Sequence, residues 1–174
     1  MLKFKLISLD KIVSIGLKLH HHKKVEDDRG YLNIETEANI NLTDSVSIKE
    51  SFSKPFVGRG MHLQASSSPQ TKIIQVQHGK ILDIVFDPKD SLKTVFGFYL
   101  SDTDHVSVMI PPRFAHGFIA IQATNFKYTC FGKYSEKDEI TFNMLSSISK
   151  IMSFGEIKLS KKDKTSPKIE ISNS

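Results

Sequence analysis

Hydrophobic and polar positions alternate with a period of two along most of this chain. The clearest stretch is residues 82–87, in which Leu82, Ile84 and Phe86 alternate with two aspartates and a valine. Gly79 lies just before it and can adopt a positive φ, which predicts a hairpin turn to the β-forming residues that precede it. Period-two alternation of this kind predicts strands with one face in a core.

The same pattern predicts further short strands, with turn-forming residues between them. They are predicted at or within residues 2–19, 31–37, 46–52, 94–100, 106–110, 118–122 and 126–131. Short strands at steady spacing are typical of an all-β sandwich or barrel. A jelly roll with only minor short helices fits best, because long helical periodicity is absent and because such double-sheet barrels hold a ligand in their mouth. We predict one domain over residues 1–174, with residues 164–174 as a peripheral tail.

Composition narrows the class of protein and its compartment. The 174 residues are 39% hydrophobic, which is typical of a soluble globular domain, and no apolar run is long enough to span a bilayer. Cys130 is the only cysteine, so no internal disulfide can form, and we expect a reducing cytoplasm. The net charge of +5 comes without the basic stripe and interleaved aromatics of a nucleic-acid-binding protein. We therefore expect neither a nucleic-acid nor a membrane partner.

A metal site is the first chemistry to consider, since jelly-roll barrels of the cupin type often hold a metal ion. Their usual pattern has two histidines one residue apart, then a glutamate, and a third histidine on a later strand. Here His62 is followed by Gln64, no glutamate lies between His62 and Gly79, and His116 stands alone in the later half. Lys72 would also repel a cation. The sequence predicts a site without a metal or another cofactor.

Acid–base groups remain as the candidate chemistry. His62 can take up a proton near neutral pH, Lys72 can stabilise a developing oxyanion, and Tyr128 can deliver or accept a proton from another direction. We expect His62 and Lys72 on neighbouring strands of one sheet, where both can point into the same hollow. The three groups suit proton abstraction next to a carbonyl, although each also has an ordinary structural interpretation, such as a half-buried aromatic for Tyr128.

Motifs along most of the chain carry a more specific signal. They are Asp28-Arg29-Gly30, Arg59-Gly60-Met61-His62-Leu63-Gln64, Lys72, Gly79, Asp83, Ile110-Pro111, Phe114-Ala115-His116-Gly117-Phe118, Tyr128, Tyr134 and Leu159-Ser160-Lys161-Lys162-Asp163. Together they resemble the dTDP-4-dehydrorhamnose 3,5-epimerase family, which acts on nucleotide-linked 4-keto-6-deoxy sugars. The resemblance runs from about Asp28 to Pro167. It implies a cupin-type jelly roll, the double-stranded β-helix.

The resemblance implies a role for each matching chemical group. His62 is similar to the family's general base, polarised by Asp163, and Tyr128 to its general acid on the opposite face of the sugar. Lys72 matches the lysine that steadies the enolate oxygen at C4. The implied reaction is epimerisation at C3, C5 or both of the sugar, through proton abstraction next to the C4 carbonyl.

The resemblance also implies a set of substrate-binding residues. Arg29 and Arg59 match arginines that hold the diphosphate, for which bidentate guanidinium geometry is well suited. The further implied substrate-binding positions are Gln64, Lys49, Ser51, His116 and Tyr134. The family is a dimer of jelly rolls that exchange N-terminal strands, so we expect a homodimer in which Arg29 serves the neighbouring subunit's site.

Some positions depart from the family pattern. Leu32 and Ile34 stand where the family has a Phe and a Glu that contact the base. Lys49 and Ser51 stand where it has a Gln and an Asn, and Arg113 replaces a glycine. Because these positions are changed, the sequence does not determine which nucleotide carries the sugar. A GDP- or CDP-linked 4-keto sugar is therefore an alternative substrate. A ketoisomerase and a non-catalytic sugar-binding barrel are competing functions, and the paired base and acid disfavour both.

Overall fold

Two β-sheets face each other across an apolar interior in the computed structural model, which describes residues 1–28, 30–34 and 45–173. The strands of these ranges are β1 (Leu2–Leu6), β2 (Lys18–His21), β3 (Lys23–Asp27), β4 (Gly30–Ile34), β5 (Val46–Ser53), β6 (Gly58–Gln64), β7 (Thr71–His78), β8 (Lys80–Phe86), β9 (Thr94–Ser101), β10 (Val106–Ile110), β11 (Ala115–Ala120), β12 (Thr124–Phe131), β13 (Glu139–Thr141) and β14 (Ile171–Asn173). The α-helices are α1 (Leu145–Ile151) and α2 (Lys161–Thr165), and 3₁₀ turns span Leu9–Ile15, Asp102–Asp104 and Glu136–Asp138. Within the described ranges, no helix is long and apolar enough to cross a membrane.

The strand order is that of a double-sheet barrel. The seven-stranded sheet has the order β13-β6-β11-β8-β9-β1-β14, the five-stranded sheet has the order β2-β10-β7-β12-β5, and β3 pairs with β4 in a separate two-stranded sheet. Strand β1 pairs in parallel with β9 and β14, whereas the other strand pairs of the two large sheets are antiparallel. The predicted all-β jelly roll with minor short helices is confirmed.

The predicted hairpin between β7 and β8 is present, and its turn depends on Gly79. This residue has a φ of +90°, a conformation that side chains with a Cβ rarely adopt. A Cβ built there would lie 2.2 Å from the backbone oxygen of Ala123. The turn therefore needs glycine for both its dihedral angle and its space.

Strand β8 is buried on both faces, whereas the alternation predicted one core face. Ile81 and Val85 pack into the space between the two sheets, and Leu82 and Ile84 pack into a second apolar cluster on the other face. Helix α1 and the residues that follow it cover this second face. The alternation of apolar and polar residues did not predict that this second face of β8 is buried, because the residues that cover it come from the C-terminal third of the chain.

The main core joins the two large sheets. Ile74, Val108 and Phe126 project from the five-stranded sheet, and Phe98 and Phe118 project towards them from the seven-stranded sheet. All five side chains are almost fully buried. This packing fixes the two sheets relative to each other, so that polar side chains projecting inward from either sheet can meet.

Three segments differ from the expected pattern. Residues 9–15 form a 3₁₀ turn rather than a strand, with Ile12 fully buried and Gly16 ending the turn at a φ of +94°. Minor short helices were predicted, but the positions of α1 and α2 were not. The segment after residue 164, expected to be a peripheral tail, contributes the edge strand β14, which pairs with β1.

Candidate active site

A cavity of about 720 Å³ opens between the two sheets, and it brings together the four residues for which chemistry is implied: His62, Lys72, Tyr128 and Asp163. Strand β6 of the seven-stranded sheet carries His62, whereas β7 and β12 of the five-stranded sheet carry Lys72 and Tyr128. The prediction that His62 and Lys72 share one sheet is therefore wrong. The chain crosses between the sheets after β6, through a serine-rich loop, and the two residues meet across the cavity.

Close backbone packing between β6 and β11 places two histidines next to each other. His62 and His116 are cross-strand neighbours, and the register shifts in a β-bulge just after His116. A Cβ on Gly117 would lie 2.7 Å from the backbone oxygen of Arg59, and one on Gly60 would lie 2.7 Å from that of His116. The two glycines thus allow the strands to approach closely at the point where both imidazoles line the cavity.

Asp163 holds the imidazole of His62. His62 Nε2 donates a hydrogen bond to Asp163 Oδ1 at 2.7 Å, and Asp163 is only 4% exposed. Ser160, at the start of α2, donates from Oγ to Asp163 Oδ2 at 2.8 Å and accepts from the Asp163 backbone N–H at 3.1 Å. Burial by itself would raise the pKa of Asp163, but the hydrogen bonds from His62 and Ser160 outweigh it and lower that pKa below its ordinary value. The ionised carboxylate keeps a proton on Nε2 and leaves Nδ1 available to accept one.

A second carboxylate, Glu139, lies beside the other ring nitrogen. Glu139 Oε1 is 3.7 Å from His62 Nδ1, and Glu139 Oε2 pairs with the ammonium of Lys162. Glu139 therefore lies beside the ring nitrogen that Asp163 leaves open. Sequence reasoning missed Glu139, since nothing distinguishes it from the nearby Glu136 and Asp138. Only the pairing of β13 with β6 brings it to the site.

Lys72 faces His62 from the opposite sheet. Its Nζ donates to the backbone oxygen of His62 at 3.2 Å. Burial lowers the pKa of Lys72 below its ordinary value, and the nearby Cys130, Glu139 and Asp83 oppose that shift only in part. An enclosed ammonium with a lowered pKa releases its proton more readily, which suits it to stabilise a developing oxyanion.

Tyr128 projects into the cavity from β12 and is half-buried. Burial raises the pKa of Tyr128, with a further contribution from Cys130, while the guanidinium of Arg59 acts in the opposite direction. The hydroxyl is therefore protonated at neutral pH and able to donate. Because Tyr128 and His62 come from facing sheets, a ligand between the sheets would have one group on each side.

His116 is held by the fully buried Asp83. His116 Nε2 donates to Asp83 Oδ2 at 2.8 Å, and His116 lines the cavity as the resemblance implies. Burial raises the pKa of Asp83, and the charge and hydrogen bond of His116 counteract this. The site therefore contains two histidine–aspartate pairs, whose histidines lie on the adjacent strands β6 and β11.

Arg59 stands at the rim of the cavity with its side chain already oriented. Its Nε donates to Ser53 Oγ and its Nη2 donates to the backbone oxygen of Phe52, both at 2.9 Å. The exposed guanidinium keeps further N–H groups for an anionic ligand. Arg29, the other arginine expected to hold a diphosphate, lies outside the described residues.

A family model described as dTDP-4-dehydrorhamnose 3,5-epimerase matches residues 14–170. The chain belongs to this family. The match includes every described residue of the cavity, so the resemblance of the short motifs extends to the whole domain.

Individual members of the dTDP-4-dehydrorhamnose 3,5-epimerase family are similar to the chain in sequence and in fold. The epimerase of Methanothermobacter thermautotrophicus is 32% identical over 114 residues, which are 59% of this chain and 61% of that protein. The crystal structure of the Elizabethkingia anophelis enzyme superimposes with a TM-score of 0.75 at 25% identity, covering 88% of this chain and 91% of that one. A dTDP-6-deoxy-D-glucose-3,5-epimerase from Legionella pneumophila gives a TM-score of 0.71 at 27% identity, covering 88% and 87%.

Lys49, Ser51 and Tyr134, which the epimerase family resemblance marks for substrate, lie at or near the cavity. Ser51 lines it directly. Lys49 lies two residues earlier on the same face of β5, with its Nζ 5.7 Å from the ring centroid of Tyr128 and 5.3 Å from that of Tyr134. Tyr134 is exposed, and its hydroxyl donates to Glu139 Oε2 at 3.4 Å. The three residues extend the site from His62, Lys72 and Tyr128 towards solvent.

Gln64 departs from its expected place. It is buried, its Oε1 accepts from the backbone N–H of Ser135 at 3.0 Å, and it does not belong to the cavity lining that the described residues form. Its amide braces the loop after β12 and does not face the cavity. Among the described residues, no three His, Cys, Asp or Glu side chains are grouped to hold a metal ion, and catalysis without a metal stays a prediction.

Proposed function

We propose that this protein epimerises C3, C5 or both of a dTDP-linked 4-keto-6-deoxy sugar. The observation that carries the proposal is the arrangement of a histidine on one sheet, paired with an aspartate of α2, a protonated tyrosine on the facing sheet, and a half-buried lysine beside the histidine. Inversion removes a proton from one face of a carbon and returns one to the other face, so it needs a base and an acid on two sides of the sugar.

His62 is the base in this proposal. Asp163 holds the Nε2 proton, so Nδ1 removes the proton from the carbon next to the C4 carbonyl. The resulting imidazolium lies between the carboxylates of Asp163 and Glu139.

Lys72 and Tyr128 complete the reaction. Removing the proton moves negative charge onto the C4 oxygen, where the Lys72 ammonium donates a hydrogen bond and stabilises the enolate. Tyr128 then returns a proton to the carbon from the opposite sheet. The phenolate of Tyr128 then regains a proton from solvent, and the imidazolium of His62 releases its proton to solvent, both through the open mouth of the cavity.

The substrate class follows from the cations at the cavity and from the relatives. Arg59, Lys54 and Lys158 line the cavity, and they suit the two charges of a nucleoside diphosphate. The Legionella pneumophila structure is a complex with dTDP-4-keto-L-rhamnose, which supports a thymidine-linked 4-keto sugar here. The GDP- or CDP-linked substrates, the ketoisomerase and the non-catalytic barrel are not favoured by these relatives.

The assembly and the compartment belong to the same proposal. A homodimer is supported by the outer face of β5, where Val46, Ile48 and Phe52 are exposed. A reducing cytoplasm is supported by Cys130, the only cysteine of the chain, which is buried and unpaired.

Incubation with dTDP-4-keto-6-deoxy-D-glucose in deuterated water tests the function. We expect solvent deuterium at C3, C5 or both, and a product with inverted configuration at the labelled carbon, both read by NMR. A control incubation with dTDP-glucose, which lacks the 4-keto group, should show no exchange because its protons are not acidic. Absence of exchange from the keto sugar would rule out the proposed reaction.

A further inference from the structure

The segment that leads into α2 is fastened to the chain at the start of β6. Lys158 makes two backbone hydrogen bonds there: its N–H donates to the Phe56 oxygen at 2.8 Å, and its oxygen accepts from the Gly58 N–H at 2.9 Å. Further along the chain, Asp163 reaches the same strand again at His62. This segment therefore contacts β6 at its first residue and again at the proposed base.

Apolar side chains fill the space that Gly58 leaves by having no side chain of its own. A Cβ built on Gly58 would lie 2.7 Å from Leu159 Cδ2 and 3.1 Å from the Cδ1 atoms of Ile157 and Leu145. All three of these side chains are buried in the second apolar cluster. The φ of Gly58 is not positive, so alanine can adopt its backbone conformation. Glycine is needed at this position for space alone.

Leu159 is joined to Asp163 by only the first turn of α2. Ser160 follows Leu159 directly, caps the helix, and donates from Oγ to Asp163 Oδ2 at 2.8 Å. Gly58, for its part, is held in the sheet by its pairing with Ile119 of β11. Because protein interiors are close-packed and transmit strain, a methyl group on residue 58 would push Leu159 outward. The capped turn would carry Asp163 with it.

We propose that Gly58 and Leu159 are positioning residues for the base, because the Leu159 side chain, seated against Gly58, sets the distance between Asp163 and His62. This inference rests on the proposed function, in which Asp163 holds the Nε2 proton of His62 and leaves Nδ1 to take the sugar proton. The two residues act through the 2.7 Å hydrogen bond between His62 and Asp163. That hydrogen bond decides which ring nitrogen of His62 carries the proton.

Gly58→Ala tests this inference by adding one methyl group beneath Leu159. The hydrogen bond between Asp163 and His62 should lengthen. NMR of the ¹⁵N-labelled histidine rings, assigned from the signals missing in His62→Ala, should then show the Nε2 proton of His62 weakened or lost and its two tautomers mixed. Exchange of the sugar protons with solvent should slow roughly tenfold to a hundredfold, as for a small misplacement of a reacting group.

Gly58→Ala combined with Leu159→Val is the compensating variant. The first change adds one carbon and the second removes one, so the packed volume is kept and Asp163 should return to His62. The double variant should regain the Nε2 signal and most of the wild-type exchange rate. A double variant that behaves like Gly58→Ala alone would show that Leu159 does not transmit the displacement, and the inference would be wrong.

Leu159→Ala measures the same connection if Gly58→Ala does not fold. This change withdraws the side chain that sets the distance, so α2 should be held less firmly on β6. The Nε2 signal of His62 should broaden and exchange of the sugar protons should slow. If the signal and the exchange rate both stay as in the wild type, Leu159 does not position Asp163.

Gly97→Ala is the matched control for packing. Gly97 is also a buried strand glycine without a positive φ, and a Cβ there would lie 2.6 Å from Phe4 Cζ in the same apolar cluster. Its strand, β9, contributes none of the described residues that line the cavity. Both glycine variants should have a lower melting temperature, but only Gly58→Ala should lose the His62 signal. Equal loss in both would mean that a general loosening of the cluster is responsible, and would overturn the inference.

The NMR signal is recorded without substrate, so the outcomes separate this inference from the general function. If the signal responds to Gly58→Ala as expected while the wild-type protein exchanges no sugar protons, the positioning role is supported and the proposed function fails. If the wild-type protein exchanges them and Gly58→Ala keeps both the exchange rate and the His62 signal, the function stands. Gly58 and Leu159 then do not position the base.

Discussion

At the scale of single residues, the roles proposed for His62 and Tyr128 are distinct, and one experiment separates them. His62→Ala removes the base, so exchange of the C3 and C5 protons with solvent and inversion should both fall by about 10²–10⁴-fold. Tyr128→Phe removes only the hydroxyl. In the Tyr128→Phe variant, His62 should still remove part of the C3 and C5 protons. A deuteron should then return to the same face of the carbon from which the proton left.

The measurement is NMR of the sugar in deuterated water with each variant. Tyr99→Phe is a matched control, because Tyr99 contacts Lys80 on β8 and does not line the cavity in the described part of the chain. Wild-type exchange in His62→Ala, or normal inversion in Tyr128→Phe, would show that the roles are assigned wrongly.

Lys72 should reduce stability while it serves catalysis. Its folded-state pKa is lowered by burial, so the folded state disfavours the charged form. The resulting loss of folding stability is fully present below the folded-state pKa of Lys72 and disappears as the pH rises towards the ordinary pKa of lysine. Lys72→Met should therefore raise the free energy of unfolding at neutral pH by on the order of 1 kcal/mol, while turnover drops about 10²–10³-fold.

Denaturant titrations of Lys72→Met and wild type at several pH values check this prediction. The difference in free energy of unfolding between Lys72→Met and wild type should become smaller as the pH approaches the pKa of a free lysine. A variant that is less stable than wild type at neutral pH, with the same gap at high pH, would mean that the Lys72 hydrogen bond to His62 stabilises the fold.

Residue types were easier to predict than their geometry. His62, Lys72, Tyr128 and Asp163 could be singled out from motifs, and the described structure brings them to one cavity. Glu139 could not, because it reaches His62 only through the pairing of an edge strand with β6. Contacts made across strands distant in the chain leave no local pattern.

At the scale of elements, helix α2 positions Asp163. Its five residues are too few to be stable alone, and Ser160 caps it through the Asp163 backbone N–H. Ser160→Ala should cost about 1 kcal/mol of stability and should also lower kcat, because Asp163 Oδ2 loses its donor. Ser160→Thr keeps both hydrogen bonds and should restore both properties.

Thermal unfolding and steady-state kinetics measure these effects. A loss of stability with unchanged kcat would mean that the cap stabilises the helix without orienting the carboxylate. The pH dependence of kcat/KM should also change in Ser160→Ala, since Asp163 is then less firmly ionised.

Elements defined by local chemistry were predictable, and those defined by packing were not. The β7–β8 hairpin follows from Gly79 and its β-forming neighbours. Helix α1 combines three serines with β-branched isoleucines and has weak helical propensity. It forms because Leu145 and Ile148 bury against the outer face of the seven-stranded sheet. The sequence of the seven residues of α1 does not by itself show that this helix will pack against the sheet.

At the scale of the whole molecule, the two large sheets differ in what covers their outer faces. The seven-stranded sheet is covered by α1 and the C-terminal segment. On the five-stranded sheet, the outer face of the edge strand β5 leaves Ile48 69% and Phe52 57% exposed. Period-two alternation predicts a strand's two faces, but it does not tell whether the second face meets solvent, a helix or another subunit.

The exposed face of β5 leads to a prediction about assembly. Exposed apolar side chains on an edge strand favour association, and a stable dimer buries about 800 Å² per partner. Ile48→Glu combined with Phe52→Glu should therefore shift the protein from dimer to monomer, because two carboxylates would be buried without partners in each half of the interface. Sedimentation velocity of the variant and the wild type measures the shift.

Leu92→Glu is the matched control, since Leu92 is 72% exposed at a turn and lies outside β5, and it should remain dimeric. If all three proteins sediment as monomers, β5 is not an interface between copies of this chain. If the double variant stays dimeric, the subunits meet through another surface.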